Sequence, residues 1–482
     1  MTGPLPAGRS RPSDSRTADA WDTAHDRLVE SLRDLIRIPS INPPDPPGGD
    51  GELVAARYLA AALTDAGLRP EVFEPEPGRG SVVARLRGDG SGGAPLLLLS
   101  HLDVVPAPPE RWTHEPFGGD VAEGYVYGRG AVDMKDLAAM ELEVVRLLAE
   151  EARAAGRDPA ADPVPGLRRD ILFASTADEE AGGLAGAGWL AASHPEHLRA
   201  AGAINEAGGV AVDVGGTRLY PIQVAEKGYA VYRITVHGVA GHGSMPRPDN
   251  AVVLVADAID RLSRPGPVRV TPTMRAFFEG AADAVGGDFA RAARGLAGGD
   301  TRAVDLVTAG LCVPTYARAS AAVLRDTFSP NVVHAGLKYN VIPGEAVLEV
   351  DCRTLPGTTE EEMHDAIVDR LGPELAARSD VDLVIAAGAV EASADDALYR
   401  ELAAAIVDHD PLGVPLAVMA PFATDAKHLV ELGVPTYGFS PLRQPPEETY
   451  LDRYHGVDER VSLAGLRWGL PVLYDAVKRF CG

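Results

Sequence analysis

The sequence predicts an α/β layer sandwich interrupted by an inserted α+β module, and three observations predict it. Short apolar runs such as residues 95–100 (PLLLLS) and 170–175 (DILFAS) alternate with longer helical patterns, as strands buried on both faces alternate with covering helices. Near Lys227 the pattern switches to one-on, one-off alternation over residues 229–238 (YAVYRITVHG), which suits an antiparallel strand with one wet face. The first pattern returns near residue 389. The 482 residues, 46% of them hydrophobic, suffice for roughly two or three such units.

Taken in order, residues 1–20 are rich in Pro, Ser and Arg without a hydrophobic centre, so a disordered tail is expected rather than a secretory signal. Apolar spacing predicts a helix over 22–36, an extended Pro-rich segment over 39–47 and a second helix over 51–66. Strands follow at 81–86, 95–100, 170–175 and 202–205, with helices at 137–154 and 186–192 between them. The insert reads as strand 229–238, helix 250–262, a less regular stretch, two strand runs within 337–353 parted by the Pro343-Gly344 turn, helix 360–371 and strand 381–385. This is a βαββαβ order. Helical and strand patterns then resume at 394–407 and run to a terminal helix over 463–480. The expected division is a catalytic unit over 21–226 and 389–482, with an inserted unit over 227–388.

A net charge of −24 repels phosphate backbones and anionic lipid, which excludes nucleic acid and membrane as expected partners. No apolar run reaches the length of a membrane span. Cys312, Cys352 and Cys481 form neither a zinc-finger spacing nor a disulfide framework, so a reducing, cytoplasmic setting is expected.

Residues that bear chemistry gather at the ends of the predicted strands, where open α/β sheets build their sites. His101 and Asp103 emerge from the run at 96–99 and share one face of an extended chain. They suit a metal-ligating histidine steadied by a carboxylate, or a buried hydrogen-bonded pair. Residues 128–136 (GRGAVDMKD) lack the third glycine of a dinucleotide loop, and Asp133 stands in its place as a helix cap or a metal ligand. Asp178, Glu179 and Glu180 follow the strand at 170–175, either as a solvated turn or as acids held together by a cation. Glu206 follows the strand at 202–205, and His455 lies in a polar loop. Together, two histidines and three acids supply the N/O ligand set of a pair of Zn²⁺ ions; Co²⁺ or Mn²⁺ suit it as well.

The order His-x-Asp, Asp, Glu-Glu, Glu, His, with the insert, resembles the M20 family of metallopeptidases and deacylases, from about Asp22 to the end of the chain. The family includes dipeptidases, carboxypeptidases, aminoacylases and desuccinylases. The resemblance implies a zinc-peptidase-like three-layer catalytic sandwich and a ferredoxin-like lid and dimerisation insert. It further implies that His101 and Glu206 hold one Zn²⁺, Glu180 and His455 the other, and that Asp133 bridges them. Asp103 would steady His101, and Glu179 would be the general base. In the insert, His242 of Gly241-His242-Gly243-Ser244 corresponds to the lid histidine that reaches the partner subunit's site and stabilises an oxyanion. Asn340 and Arg353 match positions for the substrate's carbonyl and carboxylate; a surface ion pair is the alternative for Arg353. Thr424, in residues 421–426 (PFATDA), matches a loop near the substrate carboxylate, although Phe422 and Ala423 depart from its Gly-rich form.

The implied activity is hydrolysis of the amide bond of a dipeptide or N-acyl amino acid, by a homodimer joined through the insert. A deacylase of a biosynthetic intermediate of the acetylornithine or succinyl-diaminopimelate type, and a metal- or peptide-binding homologue without turnover, are the alternatives. The Asn205-Glu206 form and residues 225–228 (AEKG) look most like the branch of carboxypeptidase S and the N-acyl-amino-acid hydrolases.

Overall fold

The computed structural model describes residues 16–43, 49–311, 313–446 and 448–482. The tail expected over 1–20 lies outside them up to residue 15, as do part of the Pro-rich segment and Cys312. The first helix, Ala18–Ile36, begins inside the expected tail, because the Thr17 side chain accepts from Ala20 N and caps it.

Among the described residues a ten-stranded mixed sheet carries the main architecture. Its strands lie in the order Glu71–Glu76, Arg79–Leu86, Ile171–Thr176, Leu96–His101, Gly202–Asn205, Thr436–Gly438, Thr217–Glu226 and Val390–Glu391. Val212–Val214 and Val414–Ala420 also pair with Thr217–Glu226. The leucine run explains why helices cover both faces. Successive strand residues point to opposite sides, so Leu96 and Leu98 join one core, while Leu97 and Leu99 join another with Leu190, Leu198 and Leu429. The result is three layers, as the family resemblance implies. Helix Lys135–Ala154 lies on the first face beside Ala18–Ile36 and Leu463–Cys481.

The insert forms an antiparallel sheet in the order Thr327–Ala335, Glu345–Thr354, Gly228–His237, Ser379–Ala387. Helices Ala251–Leu262 and Glu360–Ala376 pack on one face. Ala230, Tyr232, Ile234 and Val236 are buried while Arg233 and His237 face out, the alternation the sequence shows. The strand and helix order is ferredoxin-like.

The strand run expected before the Pro343-Gly344 turn shrinks to Val341–Ile342, which pairs with Gly241–His242 outside the small sheet, and two further features differ from expectation. The stretch expected to be irregular holds helices Pro272–Val285, Gly287–Ala297, Val304–Gly310 and Pro314–Ala322. Met274, Phe278 and Ala282 of the first share a core with Tyr220, Ile222 and Val224, so these helices cover the large sheet rather than the small one. Strand Thr327–Ala335 is also new. Its Pro330 and the register shift between Pro330 and Val332 break the alternation that reveals a strand, and both are tolerated because the strand is an edge.

Candidate active site

Three adjacent parallel strands end on one rim. Leu96–His101 pairs in parallel with Ile171–Thr176 on one side and Gly202–Asn205 on the other, so His101, the 178–180 turn and Glu206 arrive together. Asp178 adopts a left-handed φ of 71° and reverses the chain behind Glu179 and Glu180. Asp103 secures the turn: its Oδ1 accepts from Glu179 N at 3.1 Å and its Oδ2 from Glu180 N at 2.9 Å. The same carboxylate lies 3.4 Å from His101 Nδ1, and the Asp103 carbonyl is 3.0 Å from that nitrogen, which leaves Nε2 facing the cleft.

Asp133 does not cap the helix that follows it, whose N-cap is Met134 without a side-chain bond. Its loop is shaped by Gly128, at φ 153°, where an added Cβ would lie 2.3 Å from Ile36 Cγ2. Buried Glu459 fixes the loop from behind, accepting from Val132 N at 2.9 Å and Asp133 N at 3.2 Å while pairing with Arg129 at 2.6 Å.

In this setting Asp133 splits its oxygens between two histidines. Oδ1 is 3.3 Å from His101 Nε2, and Oδ2 is 3.2 Å from His455 Nε2. Glu206 stands 3.7 Å from His101 Nε2, and Glu180 3.2 Å from His455 Nε2. His455 reaches the site from a loop where it holds φ 56°. His101 Nε2 and Glu180 Oε1 are buried without a hydrogen-bond partner.

The electrostatics are those of acids crowded where a cation belongs. Burial pushes Glu206 up to about 8, and burial together with the Asp133 charge pushes Glu180 up to about 8. Hydrogen bonds to Asp133 and Glu180 raise His455 to about 10. Burial acts against the His101 cation, but Glu206, Asp103 and Asp133 outweigh it and raise that histidine well above its usual value. Ligand atoms of His101, Asp133 and Glu180, and likewise of His101, Glu179 and Glu206, lie within 4.8 Å of one another. Orphaned nitrogen and oxygen atoms in a hard N/O donor set fit divalent metal.

The remaining expected residues divide. Arg353 lines the same cleft, of about 720 Å³, as Asp133, Glu179, Glu180, Glu206 and His455. Its guanidinium is already engaged, with Nε 2.7 Å from Asp351 Oδ1 and Nη2 2.9 Å from Asp351 Oδ2. Thr424 is buried beneath the cleft, donating to Glu226 Oε2 at 2.8 Å and accepting from Asn205 Nδ2 at 3.0 Å. Its hydroxyl therefore fixes a loop. His242 and Asn340 meet across the short ladder of Gly241–His242 and Val341–Ile342, with Gly243 N donating to Asn340 O at 2.9 Å. Neither lines the cleft, and His242 is exposed.

Lys427, like Glu459, is a site residue that sequence reasoning missed. Its ammonium lines the cleft 3.2 Å from Glu179 Oε1, donates to Thr424 O at 3.0 Å and stands 4.0 Å from Asp425 Oδ1. Its position three residues after Thr424 was the available signal, but a lone lysine there carries no pattern.

Residues 97–479 match the profile of Peptidase family M20/M25/M40. The chain belongs to that family. It is an M20 hydrolase of the peptidase and amidohydrolase type. It is 28% identical over 466 residues to the N-fatty-acyl-amino acid synthase/hydrolase PM20D1 of Xenopus tropicalis, covering 90% of this chain and 82% of that one. It is 27% identical to the probable carboxypeptidase S-like 2 of Dictyostelium discoideum, covering 83% of this chain and 74% of the relative. Among solved structures, the M20 metallo-carboxypeptidase Sso-CP2 of Sulfolobus solfataricus superposes with a TM-score of 0.69 at 16% identity, covering 94% of this chain and 99% of that one. This likeness establishes the M20 fold.

Proposed function

We propose that this M20 chain is a dinuclear zinc hydrolase that cleaves the amide bond of a dipeptide or N-acyl amino acid bearing a free carboxylate. The observation that carries the reading is Asp133, with one oxygen toward His101 and the other toward His455. His101 and Glu206 would hold one ion, Glu180 and His455 the other, with Asp133 shared. When bound, the metal pair supplies a Lewis acid that polarises the scissile carbonyl and makes water acidic enough to attack at neutral pH.

The chain's own residues supply the rest. Glu179, on the cleft wall beside Lys427, takes the proton of the attacking water and returns it to the leaving nitrogen. Arg353 exchanges Asp351 for the substrate carboxylate, a fork-to-fork replacement. His242 and Asn340 act as a unit that the lid presents to the substrate carbonyl, with His242 reaching the site of the partner subunit, in keeping with their position outside this chain's cleft.

A homodimer through the insert belongs to the same proposal. Exposed Met245, Leu337, Tyr339 and Val341 surround the His242 ladder and give it an apolar face to cover. We place the catalytic unit at 21–226 and 389–482 and the insert at 227–388, with the helices between Pro272 and Ala322 serving the catalytic core. No described helix is long and apolar enough to cross a membrane, and free, buried Cys352 and Cys481 support a cytoplasmic setting.

The relative named for N-fatty-acyl amino acids supports the N-acyl arm of the substrate reading. The test is hydrolysis of a panel of dipeptides and N-acyl amino acids before chelation, after it, and after zinc is restored. Loss and recovery of turnover supports the proposal, and turnover indifferent to chelator overturns it.

A further inference from the structure

Beside the catalytic cleft lies a second cavity, of about 150 Å³. The large sheet supplies one wall through Val212, Leu219 and Val418, and the helices between Pro272 and Ala322 supply another through Met274, Phe277 and Ser320. Ala319, Pro421, Phe422, Leu451 and Tyr454 line both the cavity and the cleft. The two spaces therefore share a rim, and Tyr454 on that rim immediately precedes His455. The rings of Phe422 and Tyr454 stand 6.0 Å apart between centroids.

Several polar groups along the wall are committed elsewhere, although Gln223 Oε1 is buried without a partner. The Tyr454 hydroxyl donates to Tyr450 at 2.8 Å, Tyr450 donates to Val132 O at 3.3 Å, and Gln223 Nε2 donates to Glu226 at 3.2 Å. A cavity walled almost wholly by apolar side chains takes an apolar guest in preference to water. The polar backbone of a second peptide residue would lose its hydration there for few replacement partners.

We infer that this cavity receives the unbranched aliphatic chain of the substrate, so that the group removed is a medium- or long-chain fatty acyl group on an amino acid. The inference rests on the amide-hydrolase reading of the cleft and deepens it. The reaction balances as hydrolysis: water adds its oxygen to the acyl carbon, the C–N bond breaks, the nitrogen takes a proton, and a fatty carboxylate and a free amino acid leave. The shared rim connects the reacting carbon, held in the cleft, to a chain running away from the metal ligands. The helices that sequence reading treated as irregular would thus set acyl length.

The test measures kcat/KM of the metal-loaded protein on N-acyl alanines with two, six, ten and fourteen acyl carbons, alongside a dipeptide panel. Each methylene taken into the cavity is expected to raise kcat/KM about fourfold until the cavity is full. Ser320→Phe, which intrudes on the cavity from a position that does not line the cleft, is expected to move the optimum to shorter chains. A profile that is flat or falls with length in a protein that hydrolyses the acetyl or dipeptide substrates overturns the inference while sparing the hydrolase. An optimum that Ser320→Phe leaves in place overturns the cavity assignment. Absence of any hydrolysis defeats the hydrolase reading itself, and the inference falls with it.

Discussion

Lys427 Nζ lies 3.2 Å from Glu179 Oε1 on the wall of the cleft, with the two side chains only 5% and 11% exposed. A buried charge without a partner is costly, and each of these groups is the nearest answer to the other. Removing one partner of such a pair typically costs ~3–5 kcal/mol, so Lys427→Met is expected to lower stability on that scale. The double variant with Glu179→Gln is expected to lose less than the sum of the single losses. Thermal unfolding of the four proteins closes the cycle, and strictly additive losses would show that the pair is not coupled.

Glu179 also sits among the atoms near enough to hold metal, so a ligand and a base predict different things. As a base, Glu179→Gln keeps its metal and loses roughly 10²–10⁴ in kcat. Metal analysis beside steady-state kinetics decides. A variant that loses metal makes Glu179 a ligand, and one with near-normal kcat removes it from the proton transfer.

Asp103 does more than the sequence suggests, since it accepts from the backbone of both Glu179 and Glu180 while facing His101. Asp103→Asn replaces an acceptor with a donor against those amides. Outer-shell changes of this kind cost about 10–100-fold in metal affinity. Competition against a chromophoric chelator is expected to show a loss in that range, and an unchanged affinity would confine Asp103 to packing.

The parts of the site that were legible are those where one residue type at a strand end has few other uses. His101, Glu180 and Glu206 follow strand ends and converge with Asp133 and His455, which come from loops and were legible through the family's order of motifs; the leucine run foretold a strand covered on both faces. The insert's helices and its edge strand were obscured because Pro330 and a bulge interrupt the period, and because alanine-rich helices such as Gly287–Ala297 carry little apolar contrast. The Lys427 pair and the Glu459 anchor were invisible for a different reason. Each joins segments distant in the chain, 248 residues apart for Lys427 and Glu179 and 326 for Asp133 and Glu459, and no local pattern encodes such a meeting. Of only five lysines, Lys135, Lys227 and Lys427 bury their side chains and donate to Leu35 O, Ala322 O and Glu179 respectively.

Asp136, three residues after Asp133 and not itself a proposed ligand, offers a pH test. Burial raises its carboxyl to about 8, from an ordinary value of 3.8, and its Oδ1 has no hydrogen-bond partner. The folded state thus holds this proton where the unfolded chain has released it. Stability from this group is complete below about pH 4 and is lost as pH rises through 8. Asp136→Asn removes that titration, so the variant's Tm is expected to gain on the parent between pH 5 and pH 8. A difference independent of pH across that interval would contradict the assignment.

The central claim is that Asp133 joins two metal sites. Elemental analysis of zinc-loaded parent and Asp133→Ala, with folding verified by circular dichroism, tests it most directly. The predicted result is two zinc ions per parent chain and a folded variant that retains fewer than two and no longer turns over substrate. One ion or none in the parent, or an undiminished pair in the variant, would contradict the account.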